Sequence, residues 1–157
     1  MKILGISCFY HDSAAALIDD GEIINCVQEE RFSRIKHDSN FPSNSIKFIL
    51  EENQLKLNDI DHIVFYEKPF IKFERLIETY LHYVPKGFQS FKNALPIWIK
   101  EKLFQKIIIK DLLKEIDSSY SKKNIYFSKH HYSHAASAFF SSPFEKALVL
   151  TFDGVGE

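Results

Sequence analysis

The sequence predicts a mixed α/β fold, and three observations carry that expectation. The first 28 residues hold three short β-prone runs separated by tight turns. Beyond residue 42, amphipathic helical patterns alternate with short apolar runs. A chain of 157 residues, 45% hydrophobic and 26% charged, is long enough and apolar enough for a real core.

The elements follow in order. Residues 2–8, KILGISC, read as a strand, FYHD as a tight connection, and SAAALID as a second strand. Asp19-Asp20-Gly21 is a hairpin signal, because Gly supplies the positive φ such turns need. Residues 22–28 form the third strand. A polar segment, EERFSRIKHDSNFP, runs to Pro42. Ser43 or Ser45 then caps a helix reaching about Gln54, with Ile46, Phe48, Ile49, Leu50 and Leu55 on its apolar side. Residues 61–66 are a strand; 69–84 and 88–116 are helical, broken at Pro85 and Pro96. Residues 124–128 are a short strand, 130–140 an Ala-rich helix, and 146–152 a final strand followed by DGVGE. Three antiparallel strands followed by helix–strand alternation imply a mixed sheet with helices on both faces. That is the plan of actin-like and ribonuclease-H-like lobes. A last strand with a glycine turn and no returning partner leaves its ladder unpaired, so the chain is expected to be a fragment.

Net charge is -1 and the isoelectric point about 6.7, which gives no global attraction for nucleic acid or an anionic membrane. No apolar stretch approaches the ~20 residues of a membrane span. The start imitates a signal peptide, but His11 and Asp12 interrupt its apolar run, so it is not expected to act as one. Cys8 and Cys26 form no CxxC pair and read as buried thiols, which suits the cytoplasm.

Four groups of residues can carry chemistry. His130 and His134 lie at i and i+4 at the start of a helix, a spacing at which two imidazoles reach one metal ion. His131 and His134 are a competing pair, and helix capping is an alternative role for all three. Asp153 at the tip of the next strand can complete a two-His, one-carboxylate set, which suits a transition metal such as iron. Gly154 and Gly156 let backbone approach a phosphate, although an ordinary turn has the same residues. The connection His11-Asp12-Ser13 sits where such a sheet faces a nucleotide; His11 can serve as a general base toward a hydroxyl. Residues 29–37 mix both signs, as a solvated face does, and their Arg31, Arg34, Lys36 and His37 can form a basic edge for an anionic substrate. Lysines 86, 92, 100, 102, 106 and 110 alternate with apolar residues, and read as a helical insertion with its lysines outward.

Four blocks, GISCFYHDSAAALIDDG (5–21), QEERFSRIKHDSNFP (28–42), HHYSHAASAFFSSPF (130–144) and LTFDGVGE (150–157), resemble the N-terminal part of the O-carbamoyltransferases. The family includes nodulation-type and antibiotic-tailoring enzymes, and EKPFIKFERLIETYL (67–81) is similar to the nodulation branch. The resemblance implies residues 1–145 as a first actin-like lobe, 146–157 as the start of a truncated second lobe, and a YrdC-like domain absent from this chain. It implies that carbamoyl phosphate and ATP yield a carbamoyl adenylate in the YrdC-like domain. The carbamoyl group then passes to a hydroxyl of a small molecule or sugar. It implies iron held by His130, His134, Asp153 and a further Asp beyond the chain, with Asp12, Gly154 and Gly156 near nucleotide or phosphate, and His11 beside the acceptor hydroxyl. The implied partners are that acceptor and the remaining lobe and domain, with neither nucleic acid nor membrane. The fragment alone is then inactive. The rivals are a non-catalytic lobe that acts as a binding module, and a relative of the tRNA-threonylcarbamoylation enzymes.

Overall fold

The computed structural model describes residues 1–99, 104–122 and 124–152. The chain divides into two compact units, Met1–Tyr66 with Ile107–Phe127, and Glu67–Lys106 with Ser128–Glu157.

The first unit is built on a five-stranded sheet: β1 (Lys2–Ser7), β2 (Ala14–Asp19), β3 (Glu22–Gln28), β4 (His62–Phe65) and β5 (Ile125–Phe127). Their spatial order is β3-β2-β1-β4-β5. β1 pairs antiparallel with β2, and β2 with β3, whereas β1–β4 and β4–β5 are parallel, so the sheet is mixed. Asp19 pairs with Glu22, and Asp20 and Gly21 between them both take positive φ, at 49° and 93°. That is the two-residue turn whose twist matches the strands it joins.

One face of the sheet makes the core. Leu4 and Ile6 of β1, Ala15 and Leu17 of β2, Ile63 and Phe65 of β4 and Ile125 of β5 are buried. They alternate along each strand, as a sheet with one packed face requires. Against them lie Ile46, Ile49 and Leu50 of helix α2 (Ser43–Glu52) and Ile109 and Leu113 of helix α5 (Gln105–Ile116). Full burial of each Leu or Ile contributes about 1.5–3 kcal/mol relative to exposure. The opposite face carries Ile3, Ala16, Ile18 and Val64, all only half-buried. Within this unit the core helices therefore cover one face, not both as the element order suggested. Phe48, expected on the apolar side of α2, is 37% exposed and packs on Phe32 of the one-turn helix α1 (Glu30–Ser33).

The second unit contains helices α3 (Pro69–Tyr83), α4 (Phe88–Trp98) and α6 (His130–Phe139). Pro69 opens α3, where its missing N–H costs nothing, and Gly87 at φ 79° makes the turn into α4. Tyr80 stacks on Phe91 with ring centroids 4.0 Å apart. Pro96 was expected to break the helical pattern, yet it lies inside α4. Its fixed φ is helical, and so near the end it forfeits one backbone hydrogen bond without stopping the helix. The 86–110 segment is not one insertion: α4 belongs to this unit, while α5 from Ile107 onward belongs to the first.

Two other expectations fail. Residues 146–152 form no strand, because among the described residues this β-prone run has no ladder partner. Cys8 is buried but Cys26 is exposed. Cys26 lies on β3, an edge strand, opposite Ala16 and so on the face away from the core.

Candidate functional site

The connection between β1 and β2 is a pinned loop. Phe9 and Asp12 both take the left-handed backbone conformation, with φ of 72° and 51°. The Phe9 ring lies 6.3 Å from that of Phe41 and 6.2 Å from that of Phe65, anchoring the loop to the core. Backbone N–H groups of Phe9 and Ser13 donate to the carbonyls of Ser39 and Asp38, both at 2.8 Å. Loop 8–13 is thus laced to segment 37–39.

Lacing brings three predicted residues together. His11 Nδ1 lies 2.7 Å from Asp12 Oδ2, and His37 Nδ1 lies 2.9 Å from Asp12 Oδ1. The hydrogen bonds from His37 and then His11 hold the Asp12 carboxyl below its ordinary range. Both imidazoles are well exposed, so the cluster is open to a ligand. His37 itself has a left-handed φ of 56°. Arg31, Arg34 and Lys36 are exposed along the same segment, with Arg34 ending α1 in a left-handed cap. They are hydrogen-bond donors of one sign on the segment that carries His37.

Two acidic residues of this region do different work, and sequence reading missed both. Glu29 opens the charge run yet is buried. Its Oε1 accepts from the backbone N–H and side-chain amide of Asn44, and its Oε2 from the N–H and hydroxyl of Ser45, at 2.7–3.1 Å. It therefore caps α2 from 15 residues upstream. Neither Ser43 nor Ser45 caps the helix with its own side chain. Asp38 is also buried and accepts from the backbone N–H and side-chain amide of Asn40. Hydrogen bonds from Ser33 and then Asn40 lower its carboxyl pKa. The Asp-Ser-Asn turn is a readable signal for Asp38. No local spacing announces Glu29, because its partners come from a distant helix end.

The second unit carries the histidine helix. α6 starts at His130, and its N-cap residue Lys129 makes no side-chain capping bond. His130 Nε2 and His134 Nε2 are 3.0 Å apart, with the rings near perpendicular. The two nitrogens are within hydrogen-bond distance, donor and acceptor being set by the tautomers, and the same separation is compatible with two imidazoles on one ion. Nitrogens each ~2.1 Å from one ion at a right angle would sit about 3 Å apart. His130 and His131 rings are 6.2 Å apart. Among the described residues no group of three or more His, Cys, Asp or Glu closes around an ion. Asp153, Gly154 and Gly156 lie outside the described residues.

Sequence comparison places these features. The family model described as "Carbamoyltransferase N-terminus" matches residues 2–157. The chain belongs to the carbamoyltransferase N-terminus family. It is 54% identical over 157 residues to the uncharacterized protein sll1178 of Synechocystis, across 99% of this chain and 26% of that protein. It is 38% identical to nodulation protein NolNO of Sinorhizobium fredii, across 95% of this chain and 20% of that one. It is 29% identical to nodulation protein U of Bradyrhizobium diazoefficiens, across 98% and 26%. The carbamoyltransferase segment thus spans about a quarter of the length of these relatives. Among its described residues no helix is long and apolar enough to cross a membrane.

Proposed function

We propose that this chain is the N-terminal portion of an O-carbamoyltransferase, comprising a first actin-like lobe (1–145) and the start of a second (146–157). The observation that carries the reading is the match of a carbamoyltransferase family model to the whole chain. Carbamoyl phosphate and ATP supply a carbamoyl adenylate, made in a YrdC-like domain outside these residues, and the acceptor is a hydroxyl of a small molecule or sugar. The setting is the cytoplasm.

Each group then has a task. His11 stands on an exposed loop tip, with Nδ1 engaged by Asp12 and Nε2 directed away from it. The acceptor oxygen bonds to the carbamoyl carbon while the carbon–oxygen bond to phosphate breaks. AMP leaves with that electron pair, and the hydroxyl proton passes to His11 Nε2. Proton removal by a positioned imidazole contributes about 10²- to 10⁴-fold. Arg31, Arg34 and Lys36 offer charge to an anionic substrate. His130 and His134 fit a metal, their Nε2 atoms already converging, with Asp153 as a further ligand. Bound there, iron would neutralise the adenylate's phosphate.

The test uses the full-length protein with ATP and carbamoyl phosphate. AMP release that requires both substrates and an added hydroxyl compound supports the reading. AMP release independent of carbamoyl phosphate refutes it. In the same protein, His130→Ala and His134→Ala should each remove most of the iron measured by elemental analysis, and His131→Ala should not. Equal losses from all three would show that the converging pair is not the ligand pair.

A further inference from the structure

We propose that Asp12 is a positioning residue that locks His11 in one tautomer, and that His37, bonded to the other oxygen of the same carboxylate, holds Asp12 in place. This deepens the carbamoyl-transfer reading and rests on it for its function, although not for its geometry. The argument starts from the donor count. A carboxylate ion has no proton to give, so every group bonded to it must donate. Asp12 meets Nδ1 of His11 at 2.7 Å and Nδ1 of His37 at 2.9 Å. Its lowered pKa keeps it ionised at neutral pH, so both Nδ1 atoms carry a proton. In the neutral imidazole the lone pair is then on Nε2, the atom on the outer side of the ring. His11 is thereby a base with its lone pair facing outward, and it needs no substrate to become one.

The backbone shows why this arrangement persists. Asp12 and His37 both sit in left-handed conformations, which single residues adopt at a cost and keep only when their surroundings hold them. The cross-loop hydrogen bonds from Phe9 to Ser39 and from Ser13 to Asp38 flank the cluster on either side. They bring His37 to a carboxylate 25 residues earlier in the chain. His11 and Asp12 are adjacent in sequence, so their contact alone leaves the carboxylate free to turn. The bond from His37 engages its second oxygen and removes that freedom. An orienting carboxylate behind a base imidazole stabilises the imidazolium formed on proton transfer as well as the correct tautomer. Asp12 thus reads as the partner of His11 rather than as a phosphate ligand, since both of its oxygens are engaged and a phosphate would meet like charge.

Nitrogen NMR on the full-length protein, with ¹⁵N-labelled histidine, tests the proposal near pH 8, where unperturbed imidazoles are neutral. Wild-type His11 and His37 should each show a protonated Nδ1 and an unprotonated Nε2. Asp12→Asn should shift His11 to a majority of the Nε2–H form, because a side-chain amide offers one acceptor oxygen to two donors. His37→Ala should move His11 toward a tautomer mixture, and His37→Gln, which keeps an N–H donor, should restore the wild-type pattern. A wild-type His11 with its proton on Nε2 would overturn the proposal, and that spectrum decides even if a variant fails to fold. An unchanged His11 tautomer in Asp12→Asn would overturn it equally, and an unchanged one in His37→Ala would remove His37's part. The readout needs no substrate. A protein that shows these tautomers but releases no carbamoyl-phosphate-dependent AMP would refute the carbamoyl-transfer reading and leave the positioning intact.

Discussion

Glu29 and Asp12 are carboxylates of the same unit, each accepting at least one hydrogen bond from a residue far along the chain, and they sit in opposite surroundings. Glu29 is 3% exposed and takes four bonds from backbone N–H, amide and hydroxyl groups, none of which titrates near neutral pH. Asp12 is partly exposed and takes two bonds, both from imidazole nitrogens. The contrast separates architecture from chemistry. A buried acid with fixed donors holds elements together, and an open acid between two imidazoles is available to chemistry.

The sharpest way to break the comparison is to remove each carboxylate and read stability. Glu29→Ala leaves four donors without their acceptor at a buried helix end, and should destabilise by about 3–5 kcal/mol. A lower denaturant midpoint at unchanged slope would show it. Glu29→Gln retains one acceptor oxygen and should cost less, about 1–2 kcal/mol. Asp12→Ala should cost less, about 1 kcal/mol, because its bonds are partly exposed and the main loss is Ala's poorer tolerance of the left-handed backbone there. If the two alanine variants cost the same, the division fails. The second way is to read turnover. If the proposed function holds, Asp12→Asn in the full-length protein should lower carbamoyl transfer by about 100-fold. Glu29→Gln, measured well below its melting temperature, should change it less than threefold.

The smallest expected effect concerns Asp38, which is buried and carries a lowered pKa. A carboxyl with a lower pKa in the fold than in the unfolded chain stabilises above the unfolded value, about 3.8. That contribution is lost as pH falls through the lower folded value. Asp38→Asn should therefore reduce the difference in melting temperature between pH 7 and pH 3. An unchanged difference would assign the acid sensitivity to other carboxyls.

Legibility divides along the same line. The hairpin of β2 and β3 is plain in Asp20-Gly21, because a two-residue turn with positive φ leaves few residue choices. The His130–His134 convergence is plain in the i, i+4 spacing, because a helix fixes which side chains meet. His11 and Asp12 stand out as polar residues in an apolar run, whereas their link to His37 depends on two loops being laced together. Glu29 is hidden for the same reason. It sits in a charge run that imitates a solvated surface, and only the approach of α2 makes it interior. The β-prone run 146–152 errs the other way, since propensity describes a strand but a partner makes one.

The remote cap on α2 has a further consequence for how the unit opens and closes. A helix capped by its preceding residue can flicker as an independent segment. Here the N–H groups of Asn44 and Ser45 are held by a residue that directly follows β3. The first turn of the helix and the end of the hairpin must therefore loosen together. Amide hydrogen exchange should find Ser45 and Glu29 opening with similar free energies, as members of one cooperative unit. A peptide of residues 43–54 alone would lose that coupling and fray at its start.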